Sequence, residues 1–507
     1  MDGKEGLWRF EWRLRQFCSR HERVYLYGAG AYGRKLLAAL HSIGLEVDGF
    51  LVTNGQEGLI MGKPVLLWNK AAPNLFGAGI ILALSERWHS VIRKELSQTG
   101  VEILSMRDDE LRFLYNQYSL LPLLRQLVKT MPTSQNVPSL VEINKILVIR
   151  LDVLGDLLMT IPMLRELRRN TPQAQIDMVV RNDMMYLLQE CSYLDRLIPF
   201  AYSKTDEIDV TVIKDFVKNL NEKYDIVVLP RELMNGRTYA QEIIMAVMAS
   251  ACRVGRLPSF SDEKMRSPLQ KELRGELETI FTNVIWQEKE KHEVQYMLEI
   301  VEVLGGKITD DKMEYTVSEQ SRRFAGKIWY LHNLKSNDLI LAIGLVSQAA
   351  ERTWPAKKYL MLFKKLQEEV HGIKFLLLGG TDARKAASVF TEQTGVIDMT
   401  GKTSFSEAAA CMEKCQMYVG ANTGLLHFAS ALKKPIVEIS AWLPDGLPVC
   451  GIAPSRMGAY GPVHVTCQPV QGVDGCTGFC RRAEAHCIKS IAVEDVAMAV
   501  KTLLAEM

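Results

Sequence analysis

Short apolar runs alternate with amphipathic stretches along most of the chain. In the first 118 residues, strands are predicted at the apolar runs and helices at the amphipathic stretches. In chain order, these segments are 24–28 (strand), 34–44 (helix), 46–52 and 79–84 (strands), 88–99 (helix) and 101–104 (strand). Strands alternating with helices are typical of a parallel sheet with crossover helices. Residues 1–118 are therefore predicted to form a Rossmann-like domain of the nucleotide-binding type.

The same alternation returns at residue 145 and continues to the end of the chain. Residues 119–144 begin as a helix and become rich in Pro, Ser and Asn, which is typical of a linker. Further strands are predicted at 145–151, 176–180, 224–230, 338–345, 374–380, 417–421 and 435–440, and helices at 156–170, 356–370 and 492–506. This part of the chain is therefore predicted to form two α/β halves, at residues 145–335 and 336–507. Ligands of doubly wound sheets bind at the carboxyl ends of strands, so a cleft between the halves is expected to hold the chemistry.

Composition narrows the function classes. A chain of 507 residues exceeds one hydrophobic core, and its 48% hydrophobic and 24% charged content are those of a globular protein. The net charge of +2 gives no field that would recruit nucleic acid, so no nucleic-acid partner is expected. No apolar run approaches the roughly 20 residues that span a bilayer, and the N-terminal segment lacks a signal-peptide core. A cytoplasmic location is therefore expected, with the ten cysteines as thiols.

A glycine-rich turn follows the first strand. Gly28, Gly30 and Gly33 match GxGxxG between a strand and a helix, the context in which such a turn holds a pyrophosphate. The acid that would bind a ribose at the end of the second strand is absent, since that strand ends at Thr53 and Asn54. Two interpretations stay open: binding of a nucleotide, or tight packing of strand against helix.

The turn after the strand at 145–151 carries two acids and a glycine. Gly155 frees the backbone, and Asp156 then opens the next helix, where an acid is a common capping residue. The same carboxylate lies at the carboxyl end of a strand, where it is placed to take a proton from a sugar hydroxyl. Asp152 is a second acid of this turn.

Two loops of the third block suit an anion. The segment from Asn422 to His427 follows a strand and opens a helix, whose free N–H groups and dipole attract negative charge. Arg352 precedes another helix, and a guanidinium can pair with two oxygens of a diphosphate. Each segment also has a plain structural interpretation, Asn422 as a cap and His427 as a packed helical histidine.

In this order and spacing, the motifs resemble glycosyltransferase family 9, the ADP-heptose:lipopolysaccharide heptosyltransferases. The family pattern K-I-L-x-I-R-x-x-x-x-G-D-x-x-x-x-x-P-x-L-x-x-L is matched by 145–167, and R/K-x-W-P by 352–355. A G-G turn stands at 379–380. The pattern G-x-D-[ST]-G-x-x-H-x-A-x-A-x-x-x-P is matched by 420–435 except at one position. The resemblance covers about 145–505.

The resemblance implies a GT-B fold, two Rossmann-like halves around a cleft, here preceded by a third Rossmann-like α/β domain. It implies an inverting transferase with the acceptor in the N-terminal half, the nucleotide sugar in the C-terminal half, and Asp156 as general base. The acceptor-side loop would include Asp152 and Gly155. The donor-binding residues that it implies are Ser347, Arg352, Gly379, Gly380, Asp382, Asn422, Thr423, Gly424 and His427. Because a helix N-terminus and an arginine can stabilise the leaving diphosphate, and no DxD triplet is present, neither a metal nor a cofactor is expected for transfer.

The sequence departs from the family pattern at two donor positions. Asn422 replaces the usual Asp, which removes a carboxylate that can hold sugar hydroxyls. Ala383 stands where an acid usually reaches the ribose, with Asp382 one residue earlier. These departures leave the transfer chemistry intact and leave the choice of heptose and adenine open.

Four cysteines lie near the C-terminus, at Cys467, Cys476, Cys480 and Cys487. Zinc sites favour pairs separated by two to four residues, and only Cys476 and Cys480 have that spacing. Metal binding and simple thiols both stay open.

The leading hypothesis is a sugar transferase with a nucleotide-sugar donor and a lipopolysaccharide-like glycan or glycolipid acceptor, acting at the inner membrane face as a peripheral protein. One alternative is a non-catalytic nucleotide-sugar-binding or assembly subunit, which the changes at Asn422 and Ala383 would suit. A second is a bifunctional enzyme whose first domain modifies a sugar nucleotide with NAD(P). The oligomeric state is left open.

Overall fold

The structure is a computed structural model, and it describes most of the chain. The described residues are 13–97, 99–106, 110, 121–202, 210–232, 239–258, 275, 277–287, 290–347, 349–444, 453–473, 476 and 486–507. The chain divides into two compact units, one of Met1–Val137 with Ala201–Glu288 and one of Pro138–Phe200 with Lys289–Met507. Within the described ranges, no helix is both long enough and apolar enough to cross a membrane.

Strands and helices alternate through both units. The strands are β1 (Val24–Tyr27), β2 (Gly49–Val52), β3 (Gly58–Ile60), β4 (Lys63–Leu67), β5 (Gly79–Leu82), β6 (Glu102–Ser105), β7 (Lys145–Ile149), β8 (Gln175–Arg181), β9 (Arg196–Phe200), β10 (Ile226–Glu232), β11 (Arg253–Pro258), β12 (Asn283–Gln287), β13 (Ile340–Gly344), β14 (Lys374–Leu378), β15 (Val396–Asp398), β16 (Met417–Ala421), β17 (Ile436–Ile439) and β18 (His464–Cys467). The helices of eight residues or more with both ends described are α1 (Ala31–Ser42), α2 (His89–Leu96), α3 (Leu121–Thr130), α4 (Leu154–Asn170), α5 (Val210–Asn219), α6 (Tyr239–Ala249), α7 (Glu293–Val303), α8 (Glu319–Leu331), α9 (Ala356–Glu369), α10 (Phe405–Glu413), α11 (Gly424–Ala431) and α12 (Val493–Ala505).

The first unit contains a six-stranded sheet in the order β3-β4-β2-β1-β5-β6. All its pairs are parallel except β3 with β4, which form an antiparallel hairpin at one edge. The central strands β1 and β5 are buried along their whole length, so their apolar residues fill both faces of the sheet. The same unit holds β10, β11 and β12, which run parallel to one another.

The second unit contains β7, β8 and β9 as parallel neighbours, with the long helix α4 between β7 and β8. It also contains a six-stranded sheet in the order β15-β14-β13-β16-β17-β18, in which all neighbouring strands are parallel. Helices α9 and α12 bury apolar side chains against this sheet, among them Tyr359, Phe363 and Val500. A strand order that reverses at β13 places the loops after β13 and β16 side by side, the usual location of a ligand site.

Each strand and helix predicted from the apolar pattern is present, with ends that differ from the predicted ones by at most three residues. The helix predicted at 156–170 begins two residues earlier, at Leu154, so Asp156 lies in its first turn rather than at its cap. The strands that the pattern did not identify include five at sheet edges, β3, β9, β12, β15 and β18, together with β4 and β11. The pattern also missed the helices α5, α6, α7, α8 and α10.

Candidate active site

The residues implied for donor binding follow three neighbouring strands. Ser347 and Arg352 come after β13, the segment 379–382 after β14, and the segment 422–427 after β16. Because β14, β13 and β16 are adjacent and parallel, their carboxyl ends lie at one edge of the sheet. The structure therefore brings the predicted donor residues to the same edge.

Helix α11 begins at this edge. Thr423 caps it with an extended backbone, φ −145° and ψ 178°, and its side chain makes no capping hydrogen bond to the helix. The N–H groups of the first turn are therefore not capped by that side chain. His427 lies one turn further and is buried, and burial lowers the pKa of its imidazole to about 3, so the ring is neutral at physiological pH. Its Nδ1 has no hydrogen-bond partner among the described residues.

The starts of helices α4 and α11 meet through two glycines. A Cβ atom on Gly155 would lie 2.4 Å from Cδ2 of His427, and one on Gly424 would lie 2.4 Å from Cδ2 of Leu154. Any side chain larger than hydrogen would collide at either position. The motif around Asp156 and the motif that begins at Asn422 are thus in direct contact within the second unit.

A buried arginine holds both acids of the first motif. Arg150, at 1% exposure, donates from Nε to Oδ2 of Asp152 at 3.1 Å and from Nη2 to Oδ1 of Asp156 at 3.3 Å. Its Nη1 donates to Oγ1 of Thr160 at 3.1 Å, and that hydroxyl donates to the backbone carbonyl of Asp156. The Asp156 side chain keeps 21% exposure, so it is both positioned and reachable from solvent. A neighbouring positive charge favours the ionised form that a general base requires.

The charged cluster extends to α7 and to the loop before β18. Glu293 lies 3.9 Å from the Arg150 guanidinium and 3.4 Å from that of Arg456, and both its partners are buried. His292 caps α7, accepts from the Val294 N–H and contacts the Gly458 carbonyl at 3.2 Å through Nε2. Burial lowers the pKa of His292 to about 4, so this ring is also neutral. Sequence reasoning did not assign a role to these residues, although Arg150 lies inside the matched pattern at 145–167.

The departure at Asn422 has a structural partner. Its amide Nδ2 donates to the Met457 carbonyl at 2.8 Å and to Oε1 of Glu438 at 3.3 Å. Glu438 is buried on β17, and its other oxygen accepts from the Ala459 N–H at 3.2 Å. Burial raises the pKa of Glu438 to about 7. An aspartate at 422 would have no N–H to donate and would face a second carboxylate, so the asparagine fits this environment.

The loop after β13 presents Arg352. Trp354 is fully buried beside it, and the Ser347 N–H is tied to Oγ1 of Thr353 at 3.1 Å, so the loop is anchored on both sides. The guanidinium of Arg352 makes no hydrogen bond to any described residue, and burial lowers its pKa. A half-buried guanidinium that makes no hydrogen bond within the described part of the chain is well suited to an anionic ligand.

The loop after β14 turns at Gly379, whose φ of +151° a side chain would rarely adopt. Gly380 precedes a turn that contains Asp382, and a Cβ on Gly380 would lie 2.7 Å from Oδ1 of that acid. Ala383 is buried, whereas Asp382 is exposed. Asp382 is therefore the acid of this loop that a ligand can reach.

The glycine-rich turn of the first unit is largely explained by packing. A Cβ on Gly33 would lie 1.9 Å from the Gly28 carbonyl oxygen, and one on Gly28, at φ +113°, would lie 2.8 Å from the Ala83 carbonyl oxygen. At the end of β2, Thr53 bonds the Tyr27 hydroxyl at 2.8 Å. Gly30 alone faces open space. Nucleotide binding at this turn stays a prediction.

Among the described C-terminal cysteines, Cys467 is not part of the group that Cys476 and Cys487 form. Cys467 is buried on β18, and burial raises the pKa of its thiol to about 12. Cys476 and Cys487 lie together beside His486. Cys480 lies outside the described residues.

Comparison with known proteins agrees with this architecture. Residues 241–440 match the sequence model of glycosyltransferase family 9 (heptosyltransferase). Lipopolysaccharide heptosyltransferase 3 of Escherichia coli strain K12 is 23% identical over 292 residues, which are 56% of this chain and 79% of that protein. A glycosyl transferase family 9 structure from Veillonella parvula matches 73% of this chain and 100% of its own, with 20% identity and a TM-score of 0.58. The structure of E. coli ADP-heptose LPS heptosyltransferase II matches 71% of this chain and 99% of its own, with 19% identity and a TM-score of 0.51.

These matches confirm two predictions. The fold is that of the solved family 9 structures, the GT-B architecture of two Rossmann-like halves, preceded here by a further α/β domain. The resemblance to family 9 is confirmed by the match to the family model, which covers residues 241–440 and so includes the motifs at 352–355, 379–380 and 420–435.

Proposed function

We propose that this protein is an inverting glycosyltransferase that moves a sugar from a nucleotide-diphosphate donor to a hydroxyl of a lipopolysaccharide-like or other cell-surface glycan. The observation that carries the proposal is the contact between the starts of α4 and α11 at Gly155 and Gly424. It brings a carboxylate suited to proton abstraction beside a helix N-terminus suited to a diphosphate.

In this proposal the acceptor binds to the half formed by 145–335 and the nucleotide sugar to the half formed by 336–507. Asp156 takes the proton of the acceptor hydroxyl, whose oxygen attacks the anomeric carbon. The bond from that carbon to the diphosphate oxygen breaks, and its electron pair leaves with the nucleoside diphosphate. Arg352 and the N–H groups of α11 stabilise the charge that develops there, so the step requires no metal. Attack opposite the leaving group inverts the anomeric configuration.

The donor is proposed to be an ADP-linked sugar, with heptose as the family default. The name of the E. coli structure, ADP-heptose LPS heptosyltransferase II, supports this choice. Thermal shift with ADP, GDP and UDP tests the nucleotide, because a ligand at 100 times its dissociation constant adds about 2.7 kcal/mol to the free energy of unfolding. A larger shift with GDP or UDP than with ADP would contradict the choice of adenine.

The base assignment is tested by Asp156→Asn. The amide keeps the shape of the side chain and cannot accept the proton, so the turnover number should fall about 10²–10⁴-fold while nucleotide-sugar binding changes little. Asp152→Asn is the matched control, since Asp152 contacts the same arginine. Full turnover of Asp156→Asn would contradict the assignment. Donor binding without any glycosidic product in the unaltered protein, across a panel of acceptors, would instead favour the non-catalytic alternative.

A further inference from the structure

Three side chains with metal-binding atoms converge near the C-terminus. Nδ1 of His486 lies 3.7 Å from Sγ of Cys476 and 3.4 Å from Sγ of Cys487. All three ligand atoms lie within 4.8 Å of one another. This group lies outside the set of residues assigned to sugar transfer.

The two sulfur–nitrogen distances match the corresponding edges of a tetrahedral site. With Zn–S bonds of about 2.3 Å and Zn–N bonds of about 2.0 Å, tetrahedral angles place sulfur and nitrogen about 3.5 Å apart. The two measured distances, 3.7 Å and 3.4 Å, bracket that value. Hydrogen bonding explains the arrangement less well, because one ring nitrogen has a single proton or a single lone pair to share between two sulfurs. A cation bound between the three atoms would accept an electron pair from each of them.

The group is partly enclosed, because Cys476 and His486 are half-buried beside the buried Cys487. Cys487 is fully buried, and together with Leu443 and Cys476 it forms a small apolar cluster. A Cβ on Gly472 would lie 1.9 Å from the Cys476 carbonyl oxygen, so the loop before Cys476 is closely packed. Two thiolates and an imidazole select soft or borderline cations such as Zn²⁺ over Mg²⁺ or Ca²⁺.

We propose that Cys476, His486 and Cys487 bind one zinc-class divalent cation. The cation joins the loop after β18 to the turn Cys487–Ser490, which precedes α12. Binding releases protons from the thiols, because a thiolate is the metal ligand.

The site also has a consequence for the loop of Arg352, which rests on the proposed function. The turn Cys487–Ser490 contacts the turn Ala350–Arg352. Next to it, Lys358 Nζ donates to the carbonyls of Lys489 and Ile491, each at 2.7 Å. A cation that fixes Cys487 therefore supports the backbone that carries Arg352.

Metal analysis of the full-length protein tests the site. Protein purified without a polyhistidine tag should contain about one zinc per chain by elemental mass spectrometry, and Cys487→Ser or His486→Ala should lose most of it. Cys18→Ser, which removes a thiol in the first unit, is the control and should keep it. Wild-type protein without stoichiometric metal after growth with zinc would overturn the proposal.

A second measurement avoids dependence on variants that fail to fold. Wild-type protein stripped with a chelator and titrated with Co²⁺ should show the visible absorption of a tetrahedral site and the thiolate-to-cobalt charge-transfer band. Absence of both bands would overturn the proposal, as would a Cys476–Cys487 disulfide found by peptide mapping of the protein as isolated under air-free conditions.

Donor binding then separates this proposal from the previous one. Stripped protein should bind nucleoside diphosphate several-fold more weakly than metal-loaded protein, and Zn²⁺ should restore the affinity. If stripped and metal-loaded protein bind nucleoside diphosphate equally well, and the protein as purified contains one zinc per chain, only the link to Arg352 is refuted. A failed transferase assignment would leave the metal content unchanged, so the two failures are distinguishable.

Discussion

Glycines lie at the starts of helices in two regions of the chain, and the atoms that they accommodate differ. In the turn from Gly28 to Gly33, the missing side chains make room for backbone carbonyl groups of the same domain. At Gly155 and Gly424, they make room for side chains of a facing helix, His427 and Leu154. The first arrangement lets strand β1 pack closely against the helix that follows it. The second brings two helix N-termini together.

The two regions also differ in charge. Around Gly155, a buried arginine and three acids surround the helix start, with Arg150 bonded to Asp152 and Asp156. Beside the turn Gly28–Gly33, the end of β2 holds Thr53 where a ribose-binding acid is expected, and its hydroxyl pairs with that of Tyr27. A glycine-rich turn therefore indicates a catalytic or binding site only when charged groups surround it. The turn Gly28–Gly33 has the more familiar glycine pattern but lacks that acid.

The largest expected effect comes from removing the charge that distinguishes the second region. Arg150→Met should lower the free energy of unfolding by about 3–5 kcal/mol, because it leaves the carboxylates of Asp152, Asp156 and Glu293 without their shared buried cation. Urea denaturation measures the loss. Arg322→Met is the control, since that arginine is 45% exposed and its pairing with Glu413 should contribute at most about 1 kcal/mol. If both variants lower the free energy of unfolding equally, the charges around Arg150 do not distinguish this region from the turn Gly28–Gly33.

A smaller effect is expected from Glu438, which adjoins the second region through Asn422. Its folded-state pKa is raised from 4.5 to about 7, so the folded protein holds this proton more tightly than the unfolded chain. The stability that the proton contributes is complete below about pH 4.5 and is lost as the pH rises to about 7, a change of about 3 kcal/mol. His292 and His427 act in the opposite sense, because their lowered pKa values make the fold lose stability as the pH falls below 6.5.

Glu438→Gln isolates the acid from the histidines. The stability of wild type minus that of the variant should fall by about 3 kcal/mol between pH 4.5 and pH 8, measured by denaturation at each pH. Glu319→Gln, which removes an exposed carboxylate in the first turn of α8, serves as the charge control. A difference that does not change with pH would contradict the assignment to Glu438.

The sequence predicts the sheets well where burial dominates the pattern. The strand β16 is buried at every position, and its predicted bounds, 417–421, agree with the structure. The hairpin strand β3 exposes two of its three residues, and β9 mixes exposed and buried positions, so neither has an apolar run to detect. Edge strands are defined by their neighbours, which local pattern does not contain.

Sequence pattern points to the part of the candidate site that short motifs carry, and less to the part that distant residues complete. Asp156 and the segment 422–427 belong to motifs that resemble the family pattern, whereas Glu293 and Glu438 come near these motifs only through folding. Glu438 nevertheless gives a signal, since an acid inside the apolar strand β17 is rarely buried without a partner. The hydrogen bond from Asn422 to Glu438 gives a structural reason for the asparagine that replaces the usual aspartate of the family pattern.

The smallest effect tests the glycines themselves. Gly155→Ala should cost about 1–3 kcal/mol, because its Cβ would lie 2.4 Å from a ring carbon of His427. Alanine is otherwise the better helix former, so a loss is attributable to that collision. Gly30→Ala, with nothing within 4 Å, should change stability by less than about 0.5 kcal/mol.

If the two helix starts are in contact, Gly155→Ala should cost much less in a His427→Ala background, with a coupling energy of about 1 kcal/mol or more in a double-mutant cycle. Additive costs would mean that Gly155 and His427 do not meet, and the feature that separates this region from the turn Gly28–Gly33 would be lost.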